Sequence, residues 1–192
     1  GVGTLGLVDD DTVSLSNLQR QIQFETADIG RPKVEVAARR LTALNPHVEV
    51  QTFAERLSTA TASARVARWD LVIDGTDDFD TRMAVNAACV AAGIPLVSGA
   101  LGTWSGQVGV FEGRPCYRCL VPDVPPDAET CARVGVVGAL AGLVGSMTAL
   151  ETLKRLTGAG EPLTGRLWIH DALTGQTRTV RIAADPACPV CS

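Results

Sequence analysis

The sequence predicts an α/β fold, a Rossmann-like, mostly parallel sheet with helices on both faces. Three observations carry that expectation. Short apolar runs alternate with helix-period segments at the spacing of βαβ units. Two of the runs close on acidic residues, Asp9 and Asp74, where the carboxyl ends of parallel strands and their ligands belong. With 192 residues, 46% of them apolar and 20% charged, the chain can bury one sizeable core, which sets aside a disordered or fibrous protein.

Each element follows from the order of residues. Residues 4–9 form an apolar run ended by Asp9, Asp10 and Asp11, a buried strand entering a polar loop. Arg31-Pro32-Lys33 opens a helix whose apolar positions Val34, Ala37, Ala38, Leu41 and Leu44 keep the 3.6 period, and Pro46 ends it. Residues 48–53 alternate as a strand, 60–68 read as a helix, and 69–74 as the next strand, followed by Gly75-Thr76-Asp77-Asp78. A helix over about 80–92 leads to a strand at 95–98. Residues 102–111 read as a turn and an edge strand, and 120–133 as a loop rich in Pro and Asp. A helical stretch over 134–156 precedes two strands near 167–170 and 177–182. No repeat or low-complexity linker interrupts the chain, so a single domain over 1–192 is expected.

Residues 134–150 carry no charge, close to the length of a membrane span. Gly138 and Gly142 have the spacing that lets helices approach closely, while Arg133, Glu151 and Lys154 truncate the run. The segment therefore reads as core or dimer interface, and no membrane association is expected.

Seventeen Lys and Arg against 21 Asp and Glu leave a net charge of −4, so no cationic field holds nucleic acid or anionic lipid. Aromatic residues at 4% remove the stacking platforms of single-strand binders. Only His47 and His170 are present, which argues against a histidine triad or a multi-histidine metal site.

Six cysteines require an explanation. Without an apolar signal segment a reducing, cytoplasmic setting is expected rather than a disulfide scaffold. Cys116-Tyr-Arg-Cys119 and Cys188-Pro-Val-Cys191 supply two chelating pairs, the ligand set of a tetrahedral structural zinc that would pin the C-terminal tail. Two redox-active pairs are the rival reading, but neither visibly opens a helix after a strand. Cys89, among Ala and Val inside a helix, reads as buried filler.

A second set combines both charges: Asp9, Asn17, Arg20, Lys33 and Asp77. An acid closing an early strand is placed to take ribose hydroxyls, as also happens in NAD enzymes. Arg20 and Lys33 add positive charge where a nucleotide's phosphates would lie, and Asp77 is placed to hold magnesium. Singly, each reads as a solvated charge or a helix cap. Their joint order points to a nucleotide.

That order, together with Gly30-Arg-Pro-Lys33, Asn45-Pro46, Asp74-Gly-Thr-Asp77-Asp78 with Arg82, Pro95-Leu-Val-Ser-Gly-Ala100, Gly106-Gln107 and both cysteine pairs, closely resembles the sulfur-carrier-protein adenylyltransferases over nearly the whole chain. These are relatives of ubiquitin-activating enzymes that serve molybdopterin and thiamine synthesis. The resemblance implies a zinc-bearing, cytoplasmic homodimer that uses ATP and magnesium to adenylylate the C-terminal Gly-Gly carboxylate of a ubiquitin-like sulfur-carrier protein, releasing pyrophosphate. By position, Asp9 would bind the ribose, Asn17, Arg20 and Lys33 the phosphates, and Asp77 the magnesium, while Arg82 supports the acidic turn. A cysteine at the position of Cys131 forms a covalent link to the activated carrier in some members of that family and is dispensable in others, so a covalent role and a loop thiol without a role both stand as readings. A carboxylate nucleophile needs no general base, in keeping with the absence of a catalytic histidine candidate.

The family's glycine-rich nucleotide loop, and an arginine reaching into the neighbouring subunit's site, would lie upstream of the first strand. The sequence therefore reads as N-terminally truncated, its first βα unit missing. Asp78 stands where the family usually has Asn, adding charge beside Asp77. No rhodanese-like domain follows Ser192, so sulfur is expected from another protein. Two other readings compete with it. An NAD-dependent oxidoreductase shares the acidic ribose ligand but explains neither Arg20 and Lys33 nor the paired cysteines. A catalytically inactive dimeric scaffold would dock a ubiquitin-like protein without activating it.

Overall fold

Two parallel strand pairs and a run of antiparallel ones make up the sheets of the computed structural model, which describes residues 2–122 and 135–192. The chain divides into two compact units, Gly1–Leu57 and Ser58–Ser192.

In the first unit, β1 (Thr4–Val8) pairs in parallel with β2 (Glu49–Phe53), Thr4 opposite Glu49 and Val8 opposite Phe53. The crossover between them carries α1 (Lys33–Leu44). Pro32, with φ −57°, sets the entry into α1, and the helix stops at Asn45 because Pro46 forbids helical geometry before it. β1 is only half-buried rather than buried as predicted, since β2 is its one strand neighbour among the described residues. The apolar face of α1 also differs from the periodic expectation. Val34 and Val36 are buried, whereas Leu44 is 81% exposed. Val36 packs with Val13 and Phe24 of the loop preceding the helix, so the inward stripe is turned toward that loop.

The second unit holds a five-stranded sheet of order β3-β4-β5-β6-β7. β3 (Val72–Asp74) and β4 (Leu96–Leu101) are parallel, joined through α3 (Phe79–Ala92), with α2 (Ala62–Val66) preceding β3. β5 (Ser105–Phe111), β6 (Arg166–Asp171) and β7 (Gln176–Arg181) each run antiparallel to the strand before them in the sheet. The α/β class stands, while the parallel character is confined to β1–β2 and β3–β4. The cause is loop length: the links β4–β5 and β6–β7 are too short for a crossover, so each closes as a hairpin. Gly102 N–H donates to the Ser105 carbonyl at 2.8 Å in the first of them. β5 is the middle strand, not an edge, because β6 joins its outer side from more than fifty residues away. Val108 and Val110 on β5 are fully buried.

α3 starts at Asp78, whose carboxylate accepts from the Asp80 and Thr81 amides, each at 3.2 Å, and it ends at Gly93 with φ +67°. A single helical turn, α4 (Tyr117–Leu120), follows β5. The long helix α5 (Gly138–Thr157) lays Leu140 and Val144 on Val97, Val108 and Val110. Within the single chain the helix glycines Gly142 and Gly145 have nothing packed against them, so the close approach of α5 to the sheet is not made there. The glycines that matter are in the sheet. A Cβ at Gly106 would lie 2.4 Å from Val144 Cγ2, and one at Gly99 2.8 Å from Thr148 Oγ1. Gly106→Ala should therefore destabilise the protein by about 1–3 kcal/mol in urea unfolding, and an unchanged midpoint would refute this packing.

Glu151, which in the sequence ends the uncharged stretch, is itself fully buried. Its carboxylate accepts from the Leu163 amide at 2.7 Å and pairs with Lys154 at 2.5 Å, tying α5 to the segment before β6. No helix among the described residues is long and apolar enough to cross a membrane. Leu143, Leu150 and Leu153 on the outer side of α5 remain exposed.

Candidate nucleotide and metal sites

β1 delivers Asp9 at its carboxyl end, where its amide donates to Phe53 O at 3.2 Å and its Oδ1 accepts from the Asp11 amide at 2.8 Å. Burial raises the Asp9 carboxyl above the ordinary carboxylate range, against the opposing pull of the Asp11 amide and Lys33. The following loop folds back as a bridge between Thr12 and Pro32, with Val13 N–H on Arg31 O and Gly30 N–H on Val13 O, both 2.9 Å. Gly30, at φ +86°, permits that reversal. The fold-back places Lys33, at the first turn of α1, beside the acidic run: Nζ lies 2.6 Å from Asp11 Oδ2 and 3.8 Å from Asp9 Oδ2, with the side chain only 11% exposed.

Asn17 and Arg20 come from the same loop. Asn17 is buried in a 3-10 turn, Leu15–Asn17, and its Oδ1 accepts from the Ser14 amide at 3.1 Å, so half of its amide serves the local fold. Arg20 follows one turn later, its amide on Asn17 O at 3.1 Å and its Nη1 on Ser16 O at 3.0 Å. Val13, Phe24 and Val36 form the small core beneath them. Sequence reasoning missed the partners that organise this unit: Asp11 on Lys33, Arg56 on Asp10 at 3.2 Å, and Arg39 on buried Asp28 at 2.6 Å. Burial alone would raise the Asp28 carboxyl; the Glu25 amide and Arg39 outweigh it and hold the group below its usual range.

The second unit carries the turn after β3. Asp74 is buried and accepts from the Thr76 amide at 3.0 Å, the Thr76 hydroxyl at 2.8 Å and the Ser98 hydroxyl at 3.3 Å, besides pairing with Arg82 at 3.1 Å. Arg82 is equally buried; it donates to Ser98 Oγ and Gly99 O, both at 2.9 Å, and to the Thr76 carbonyl. The guanidinium thus bolts the turn to β4. Asp77 stands exposed on that turn, its carboxylate free of hydrogen bonds and ion pairs among the described residues. The charge of Asp78, by contrast, is committed to the N-terminus of α3.

Cys116, Cys119, Cys188 and Cys191 meet in the same unit, their sulfurs all within 4.8 Å of one another. Cys116 and Cys188 are 3.7 Å apart, Cys119 and Cys191 3.5 Å, far beyond a disulfide bond and close to the about 3.8 Å edge of a tetrahedron with metal–sulfur bonds of about 2.3 Å. The donor set and its spacing fit a tetrahedral zinc. Cys116 does open a helix, capping the N-terminus of α4, which the sequence reading did not anticipate. Its thiol is raised by burial, and the meeting of all four sulfurs in one cluster, rather than any single thiol, speaks against two independent redox pairs. Within the cluster the thiols are driven apart: burial and the neighbouring sulfurs push Cys191 up to about 12, whereas at Cys188 burial is outweighed by the Val190 and Cys191 amides and the neighbouring sulfurs, which bring the thiol down to about 7. Cys89 is buried, its thiol up to about 12 through burial and then Asp74, which fits a filler role. Cys131 lies outside the described residues.

A profile of the ThiF family matches residues 1–190. The sulfur carrier protein adenylyltransferase of Thermus thermophilus is 46% identical over 200 residues, spanning all of this chain and 74% of its own length. Two Escherichia coli proteins are matched nearly as well. Molybdopterin-synthase adenylyltransferase is 45% identical and sulfur carrier protein ThiS adenylyltransferase 44%, each over 194 residues, all of this chain and 78% and 77% of their lengths. Among solved structures, E. coli MccB with MccA-N7isoASN superposes at a TM-score of 0.85 and 21% identity. The match covers 98% of this chain and 59% of that one, a likeness of fold.

Proposed function

The chain belongs to the ThiF family, and on that premise we propose that it adenylylates the C-terminal Gly-Gly carboxylate of a ubiquitin-like sulfur-carrier protein. The observation that carries the reading is identity of 44–46%, over the whole of this chain, with proteins named as adenylyltransferases of sulfur carrier proteins and of molybdopterin synthase. Molybdopterin and thiamine relatives are matched about equally, so the shared reaction is proposed rather than either pathway.

In this reading a carboxylate oxygen of the carrier attacks the α-phosphorus of ATP, the bond to the β-phosphate breaks, and pyrophosphate leaves with the displaced electron pair. No proton moves, so the protein's task is to position and to neutralise. Asp9 would accept from the ribose hydroxyls. Asn17, through the amide nitrogen that its cap leaves over, and Arg20 and Lys33 would hold the phosphates. Lys33 already sits at the start of α1 with carboxylate partners, and a phosphate would take the place of Asp11. Asp77 offers an exposed oxygen ligand suited to magnesium, a cation that neutralises the charge developing on the leaving pyrophosphate. Cys131 is proposed to attack the adenylated carbonyl, forming a thioester as AMP departs; a trapped adduct lost in Cys131→Ala would support that step. The four clustered cysteines would hold a structural zinc, and the protein is proposed to act as a cytoplasmic homodimer.

Incubation with MgATP and a carrier ending in Gly-Gly should give a carrier heavier by one adenylyl group. Failure to form it, with pyrophosphate absent as well, would reject the proposal. The metal is tested separately: a chelator that strips it should lower the thermal midpoint by many degrees, since the metal cross-links residues 116–119 to the tail at 188–191. An unchanged midpoint after complete removal would contradict a structural role.

A further inference from the structure

The buried polar residue that the nucleotide and metal readings leave unexplained is Asn86, on α3. Arg82 and Asn86 are four residues apart and so share one face of that helix. Arg82 serves the turn after β3. Asn86 faces the first cysteine pair. Its Oδ1 accepts from the Tyr117 amide at 2.8 Å, and its Nδ2 lies 3.6 Å from Cys116 Sγ. The residue is 1% exposed, so both ends of the amide must be satisfied internally.

The assignment of its two ends is forced by the neighbours. A backbone N–H can be met only by the oxygen, so the end facing Cys116 is the NH2 donor. A neutral thiol accepts weakly, whereas a thiolate accepts strongly. A buried donor aimed at this sulfur therefore matches a charged Cys116, which is the form a metal ligand takes. The same side chain also fixes the backbone of the residue after Cys116, and with it the course of the Cys-x-x-Cys turn.

We propose that Asn86 is the positioning residue of the four-cysteine centre, donating Nδ2–H to the metal-bound Cys116 sulfur while its Oδ1 holds the Tyr117 amide. The inference rests on the reading of the four cysteines as metal ligands. A hydrogen bond to a ligating thiolate draws electron density from the sulfur, orients it and slows exchange of the metal. The link also explains why the sequence places an amide, which can both accept and donate, on the buried face of α3 one turn beyond Arg82.

The test uses the full chain loaded with an NMR-active cadmium isotope in place of zinc. Scalar coupling from cadmium through sulfur to the Asn86 side-chain amide protons is expected in the native protein. Asn86→Ala removes both bonds, and Asn86→Asp keeps the acceptor for Tyr117 while placing a carboxylate against the sulfur. Each should weaken metal affinity by about 10- to 100-fold in competition with a chromophoric chelator. The cobalt-substituted variants should also show red-shifted sulfur-to-metal charge-transfer bands, a signature that loss of packing alone does not produce. If Asn86→Ala does not fold, the native coupling and Asn86→Asp decide the matter. Tetrathiolate cadmium without the coupling, and with undiminished affinity in Asn86→Asp, would overturn the role of Asn86 and leave the metal reading standing. Native protein that binds no metal would overturn both.

Discussion

Arg82→Met is expected to destabilise the protein by about 3–5 kcal/mol in urea unfolding, because it strands the Asp74 carboxylate at 2% exposure without its cation. The guanidinium also meets Ser98, Gly99 O and Thr76 O, so the substitution leaves several buried acceptors short of a donor. Removing the charge on both sides distinguishes this mechanism from a generic packing loss. Asp74→Asn combined with Arg82→Met should recover part of the lost stability, since the unpaired charge is gone. A single variant within about 0.5 kcal/mol of the native protein, or a double variant that simply adds the two losses, would show that the pair is not what holds the turn.

Lys33→Ala and Arg20→Ala should each reduce kcat/KM for adenylate formation by about 100- to 1000-fold, the loss of about 3–4 kcal/mol of charge stabilisation at the transferring phosphoryl group. The two are expected to leave folding nearly intact for different reasons. Lys33 makes its close ion pair with the exposed carboxylate of Asp11, and Arg20 contributes a hydrogen bond to an exposed carbonyl. A threefold change or less at both would remove them from the phosphate site.

Much of the layout was legible in the chain because it depends on local pattern. The 3.6 period and Pro46 bounded α1, and the two cysteine pairs announced a four-sulfur centre that the fold does assemble. What was not legible depends on pairing between distant segments. Nothing near residues 105–111 says that β6 will close over β5 and turn an edge into the middle of a sheet. Val36 rather than Leu44 is buried on α1 because a loop, not a strand, covers that side. Helix glycines drew attention to α5, yet the contact is made by Gly99 and Gly106, whose meaning depends on which strand face meets the helix.

The site divides the same way. Of the proposed nucleotide site, the charged and polar residues Asp9, Asn17, Arg20, Lys33 and Asp77 can be read from the sequence, but not the supports that hold them. Asp11 beside Lys33 was within reach of sequence reasoning, since it sits in the acidic run that closes β1. Asn86 was not, because a single Asn in a helix carries no signal until the chain brings Cys116 to it.

The most direct measurement of the central claim is exchange of labelled pyrophosphate into ATP by the full-length protein, with and without a carrier ending in Gly-Gly. Reversible adenylate formation predicts exchange that requires magnesium, depends on the carrier and disappears when the terminal glycine is deleted. A carrier that binds tightly while no label enters ATP would contradict the account and identify a docking scaffold instead.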